Sequence, residues 1–251
     1  MMKTVVIGGH TRNIGKTSVI SALIRELAPF GWTAVKITQY GHSVCSHDGK
    51  PCDCAPKEHP FVLTEEADSS GRADTCRYLA AGARRSLWLR ARQGQLGAAL
   101  PLLSRKLRGE EWVIIESNSI LEFVRPALYL VVVNGSQRDF KPSARRALAQ
   151  ADAFVLTGAA PALDGSGSAM PDVSLNAALG AVARDDADGA VSSHLIQSRP
   201  AFPVSAPAFW SPALSDFIRR KLEAAGGASS EFTWVPASGR LRSAQEETWR
   251  C

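Results

Sequence analysis

Gly15, Lys16 and Thr17 combine a small, permissive residue with an ammonium and a hydroxyl at consecutive positions. They close the stretch Val5–Thr17, VVIGGHTRNIGKT. A glycine-rich turn ahead of an ammonium and a hydroxyl is the makeup of a phosphate-binding loop. Backbone N–H groups of the turn would cradle phosphate oxygens, where the start of a helix leaves donors unpaired. Lys16 would reach the β- and γ-phosphates, and the Thr17 hydroxyl would hold Mg²⁺. The ligand would then be ATP or GTP. The contact set would be Gly9, His10, Thr11, Arg12, Asn13, Ile14, Gly15, Lys16, Thr17 and Ser18. The loop pattern G-x-x-x-x-G-K-[ST] places its first glycine at position 10, where this chain has His10. Gly8 and Gly9 stand just before it, so a turn displaced by one residue is expected.

Such a loop needs a strand before it and a helix after it. Lys3–Gly8 reads as that strand. Lys16–Ala28 reads as the helix, with Val19, Ile20, Leu23, Ile24 and Leu27 on one face and Pro29 and Gly31 as its stop. Thr33–Thr38 alternates and reads as a second strand. Trp112–Glu116 and Leu128–Val133 are near-continuous apolar runs, which suit parallel strands covered on both faces. Helices are expected over Arg72–Ala83, Gly97–Leu107, Pro142–Gln150 and Leu175–Arg184. Short strands are expected at Ser86–Arg90, Ala153–Leu156, Phe202–Val204 and Phe232–Val235. Ser211-Pro212 caps a helix running to Leu222. The alternation predicts a three-layer, doubly wound α/β fold with a mostly parallel sheet. It forms a single domain over 1–251, with a Cys/His-rich insertion at about 39–70 and an extension from about 189. Trp88 and Trp112 are expected in the core.

Nucleotide chemistry also needs an acid for the metal and positive charge at the phosphates. Glu116 ends the strand WVIIE, where open α/β sheets place ligands; a solvent-facing acid is the alternative. With Thr17 and Asp68 it makes up the expected Mg²⁺ set. Asp68 could equally shape a turn, and Asp74 reads as a helix cap before a metal ligand. Arg12 could supply charge in the transition state or be a surface cation. Lys16, Arg12 and Glu116 are thus the candidate catalytic groups. Asn118 could orient a water or phosphate, or form a turn. Asn134, Asp139 and Lys141 could touch base or substrate, with an ordinary loop as the alternative. No N-K-x-D motif follows the strand AFVLTG, so ATP and GTP remain equal.

The segment 39–70 holds Cys45, Cys52 and Cys54 with His42, His47 and His59, and Cys76 lies a little beyond it. Thiolate and imidazole are good ligands for Zn²⁺ or another transition metal. A site of Cys45, Cys52, Cys54 and His47 is one expectation. Incidental thiols in a loop, or a redox pair, are the others, because C-x6-C-x-C is not a standard zinc spacing.

The chain has 251 residues and a net charge of +5, with a pI near 9.1. That balance suits phosphorylated ligands. The basic residues are scattered, so a nucleic-acid partner is not expected. No apolar run is long enough to span a membrane. A cytoplasmic location follows as an expectation, and five cysteines then do not read as a disulfide framework.

The stretch GGHTRNIGKTSVISALI resembles the phosphate loop and first helix of the molybdopterin-guanine dinucleotide biosynthesis protein B group. That group belongs to the SIMIBI class of P-loop NTPases. Asp68-Ser-Ser-Gly71-Arg-Ala-Asp74-Thr75-Cys-Arg77, followed by Ala81-Gly82-Ala83, is similar to the group's D-x-x-G-x-D-S-x-R and later A-G-A, with one extra residue after the glycine. Val113–Asn118 matches its apolar strand ending in glutamate. The lysine some SIMIBI relatives carry second in the loop is Thr11 here. The resemblance covers roughly the first 160 residues, and the cysteines at 45–54 lie outside it. It implies a Mg²⁺-dependent, slow NTPase assisting a cofactor pathway. By analogy it would be a homodimer acting on a phosphorylated cofactor or a partner enzyme. A small-molecule kinase or ligase like dethiobiotin synthetase and a metallochaperone are the rival implications.

Overall fold

The computed structural model describes residues 2–40, 60–137, 139–158 and 199–225. The first strand, β1 (Lys3–Gly9), leads into α1 (Lys16–Glu26), and β2 (Thr33–Tyr40) follows. Then come β3 (Phe61–Glu65), α2 (Asp74–Ala80), β4 (Arg85–Arg92), α3 (Leu96–Lys106) and β5 (Trp112–Glu116). The second half holds β6 (Leu128–Asn134), α4 (Pro142–Leu148), β7 (Ala153–Thr157), β8 (Ala201–Pro203) and α5 (Pro212–Ala224).

The eight strands form one sheet in the order β3-β4-β2-β5-β1-β6-β7-β8. All neighbours are parallel except β3, which runs antiparallel to β4. β1, β5, β6 and β7 lie inside the sheet and are buried over nearly their whole length, which is why they read as apolar runs without alternation. One face is covered by α1, α2 and α5 through Val19, Ile20, Leu23, Tyr78, Leu214, Ile218 and Leu222. The other face is covered by α3 and α4 through Leu96, Leu100, Leu103, Ala147 and Leu148. This is the expected three-layer, doubly wound α/β fold.

After β1 the chain crosses α1 to β2 on one side; after β5 it passes to β6 on the other. The carboxyl end of β1 is therefore a switch point, where such sheets open a crevice. Local sequence sets the helix that faces it. Gly15 adopts φ 88° ahead of α1, a left-handed turn that favours glycine. Gly31, at φ 61°, ends the short 3₁₀ turn Ala28–Phe30 after α1. Ser211 caps α5 by accepting from the Leu214 N–H at 3.4 Å.

Three expectations are corrected. Phe61–Glu65, read as irregular, is an edge strand; it is short, partly buried at Phe61–Leu63 and exposed at Thr64 and Glu65, so no period marks it. Trp88 and Trp112 are half-buried rather than core. The Trp88 indole donates to Thr38 Oγ1 at 3.0 Å, and Trp112 stacks edge-on against Phe30. Among the described tryptophans, Trp32 is the one in the core. The helix expected at 175–184 and the strand at 232–235 lie outside the described residues.

Candidate functional site

The two consecutive glycines are explained by close approach. A Cβ on Gly8 would stand 2.1 Å from Asn118 Oδ1 and 2.5 Å from the Tyr129 hydroxyl. A Cβ on Gly9 would stand 2.6 Å from Lys16 Cδ and 2.8 Å from Ile14 Cδ1. The close approach thus includes Gly9, the last residue of β1 and one position ahead of the usual first loop glycine. Asn118, just after β5, holds the Gly9 backbone. The Gly9 N–H donates to Asn118 Oδ1 at 2.9 Å, and Asn118 Nδ2 donates to the Gly9 carbonyl at 2.9 Å. The far side is held by Thr157 at the end of β7, whose hydroxyl donates to the Ile14 carbonyl at 2.7 Å. Asn13 takes a left-handed φ of 56° at the exposed crest, a conformation that asparagine tolerates better than most residues.

His10 stands where the usual pattern has glycine, and its backbone is not in the left-handed region. Its side chain turns inward and is fully buried. Nε2 lies 3.3 Å from the Gln137 carbonyl and Nδ1 lies 3.5 Å from the Val132 carbonyl. The ring packs against Phe140 at 4.6 Å. Burial pulls the imidazole below its usual range, against the two carbonyls, which favour the proton.

Lys16 folds back over the loop, its Nζ donating to the Thr11 carbonyl at 2.7 Å. Burial lowers its pKa, while Glu116 opposes that shift. Thr17 Oγ1 lies 3.5 Å from Glu116 Oε2. Three further side chains converge there. Tyr78 of α2 donates its hydroxyl to Glu116. Lys36 of β2 stands 3.5 Å from Glu116 Oε2 and pairs with Asp74 at the start of α2. Burial pushes the Asp74 carboxyl up, but the Lys36 ammonium outweighs it and holds the carboxyl below its usual range. Burial likewise lowers Lys36, and the two carboxylates outweigh it and raise its pKa. Tyr78 is pushed well up by burial and by the neighbouring Glu116. Arg77, one turn on, donates to Ser18 Oγ at 3.0 Å.

This donor set, a threonine hydroxyl and two carboxylates beside the Gly9–Ser18 loop, is all oxygen and suits a hard cation such as Mg²⁺. An ammonium already sits between the carboxylates, so the position favours positive charge.

Other expected residues fall elsewhere. Asp68 is exposed and shapes its own turn, accepting from the Ser70 N–H and hydroxyl at 2.7 Å each. Asp74 therefore stands near Thr17 where Asp68 was expected. Nor does Asp74 cap α2: Ala73 occupies the cap position, and Asp74 lies in the first turn. Asn134 forms a turn by accepting from the Ser136 N–H at 2.9 Å. Asp139 accepts from Thr11 Oγ1 at 2.6 Å. Arg12 is half-buried in the loop. Cys76 is buried, and burial with the nearby Glu66 raises its thiol pKa. Cys45, Cys52, Cys54, His42, His47 and His59 lie outside the described residues. Among the described residues, Cys76 included, no group of three or more His, Cys, Asp or Glu could hold a metal ion. No helix among them is long and apolar enough to cross a membrane.

Sequence reasoning missed Lys36, Tyr78 and Thr157. Lys36 carried one signal: it is a charge in the run TAVKIT, where apolar residues prevail.

No family model matches the chain, and no curated protein matches it. Solved structures of similar shape include HypB from Helicobacter pylori in complex with nickel, at 15% identity and a TM-score of 0.42 over 88% of this chain and 87% of that one. A LAO/AO transport system kinase aligns at 12% identity and a TM-score of 0.39, over 90% of this chain and 61% of the other. LpxK from Aquifex aeolicus in complex with ATP aligns at 15% identity and a TM-score of 0.38, over 62% of this chain and 48% of the other.

Proposed function

We propose that the chain binds a nucleoside triphosphate with Mg²⁺ in the crevice at the end of β1 and slowly hydrolyses it or transfers its terminal phosphoryl group. The observation that carries this is the meeting of Thr17 and Glu116, 3.5 Å apart, beside a loop shaped for close backbone approach. Thr17, Glu116 and Asp74 would hold Mg²⁺, which when bound neutralises phosphate charge. The residues of the loop do the rest. The unpaired N–H groups at the start of α1 face the phosphates. Lys16 leaves the Thr11 carbonyl for the β- and γ-phosphates. Asn118 acts on the loop rather than on a phosphate, because both ends of its amide are engaged by Gly9. Arg12 adds positive charge beside Lys16.

The finer reading is assistance to the assembly of a phosphorylated cofactor. It is supported by the acidic stretch that resembles the protein B group, since its Asp74 and Arg77 stand at Lys36 and Ser18 beside the loop. Dimerisation, ATP against GTP, and a transition metal held by Cys45, Cys52, Cys54 and His47 belong to the same proposal. Phosphate release from ATP and GTP with Mg²⁺ tests it. Slow release by wild type, lost in Glu116→Ala, supports the reading. Failure of both nucleotides to be hydrolysed or to raise the melting temperature overturns it.

A further inference from the structure

The connection from β6 to α4 is fastened to the phosphate loop more closely than a plain crossover requires. The Lys141 N–H donates to the His10 carbonyl at 2.9 Å. Thr11 Oγ1 donates to Asp139 Oδ2 at 2.6 Å, and His10 Nε2 meets the Gln137 carbonyl at 3.3 Å. Phe140 packs on the His10 ring. Two consecutive loop residues, His10 and Thr11, are thereby tied to a segment that carries its own lysine.

We propose that Lys141 is a second phosphate-binding cation of this site, brought from the β6–α4 connection onto the terminal phosphate of the bound triphosphate. The proposal rests on the reading of the loop as a nucleotide site. Lys141 is half-buried, and its backbone N–H is pinned to the His10 carbonyl, which sets the root of its side chain beside the loop. The charges that face it are Lys16 and Arg12 of the loop, Asp139 of its own segment and Glu116 of β5. Lys16, Arg12 and Lys141 are thus near enough to act on one another, with Asp139 and Glu116 acting on Lys141 and with Lys36 and Asp74 also acting on Lys16. Asp139 already accepts from Thr11, and Glu116 from Tyr78 and Lys36. Like charges held together repel, and the repulsion is relieved when a polyanion lies among them. Burial and the neighbouring Lys16 and Arg12 push the Lys141 ammonium down to about 8. A phosphate would reverse that push.

The test measures the affinity of Mg²⁺ complexes of ATP, GTP, ADP and GDP for wild type, Lys141→Met and Lys141→Arg. Thermal melts of each variant without nucleotide show whether the fold is kept. Lys141→Met should weaken triphosphate binding by about tenfold or more and leave diphosphate binding within about twofold, as a lost charge-assisted contact to one phosphate requires. Lys141→Arg should restore triphosphate binding. Wild-type triphosphate affinity should fall as pH rises through about 8. Lys141→Arg should lack that fall, because a guanidinium keeps its proton. Equal triphosphate affinity of wild type and Lys141→Met overturns the assignment of Lys141 and leaves the nucleotide site standing. Equal losses for triphosphates and diphosphates overturn the terminal-phosphate role. No binding of any nucleotide by wild type overturns both.

Discussion

Lys36 and Glu116 stand opposite each other in the register of neighbouring strands β2 and β5, and their charged ends lie 3.5 Å apart. Asp74 meets the same ammonium from α2. A lysine thus occupies the space between the acids that a cation at the phosphate loop would use. Replacing it should change how the protein responds to metal. Lys36→Met removes the ammonium that Asp74 and Glu116 share and should destabilise the protein by about 1–3 kcal/mol. Added Mg²⁺ should recover more stability in the variant than in wild type. Thermal melts with and without Mg²⁺ read both effects; an equal response of the two proteins would show that Lys36 is not between the metal-binding groups.

Asn118 closes two hydrogen bonds on the backbone of Gly9. Asn118→Ala leaves that N–H and carbonyl unpaired and should cost about 1–3 kcal/mol in stability. Asn118→Asp should cost more, because a carboxylate would face the Gly9 carbonyl that the amide now donates to. Both variants should bind nucleotide less well than wild type. Urea unfolding and nucleotide titration of the same samples check this.

Gly8 has no room for a side chain. In Gly8→Ala the new methyl would stand 2.1 Å from Asn118 Oδ1. Overpacking at a buried site should lower stability by about 1–3 kcal/mol. The same substitution at Gly82, where a Cβ meets nothing within 4 Å, is strained only by its φ of 100° and should cost less. Comparing the unfolding midpoints of the two variants separates the terms.

His10 gives stability a dependence on pH. Burial holds the folded imidazole below its usual range. The unfolded chain takes up a proton near pH 6.5, and the folded form resists it, so stability is retained above about 6.5 and lost as pH falls below it. His10→Gln removes the titrating group. Its unfolding midpoint should change less than that of wild type between about pH 7.5 and about pH 5.5.

The order of strand, loop and helix at 3–26 was legible because every signal in it is local: an apolar run, two glycines, Gly15-Lys16-Thr17, then an apolar face at helical spacing. WVIIE was legible for the same reason, and its bounds agree residue for residue. Lys36 was not. In sequence it shares a strand face with Ala34 and Thr38, and only the pairing of β2 with β5 turns it toward Glu116. The choice between Asp68 and Asp74 also depended on tertiary contacts. Both acids lie in one polar stretch, but Ser70 engages Asp68 locally while α2 carries Asp74 to Lys36. The role of His10 was hidden because its partners, Val132, Gln137 and Phe140, lie more than a hundred residues along the chain.

Calorimetric titration of Mg²⁺ with ATP and with GTP into wild type and Lys16→Ala decides whether the loop binds phosphate. At least one triphosphate should bind wild type with one site per chain, and Lys16→Ala should bind it at least about tenfold more weakly. Absence of heat and of binding for both nucleotides in folded wild type, or equal affinity in Lys16→Ala, would contradict the assignment of Gly9–Ser18 as a phosphate-binding loop.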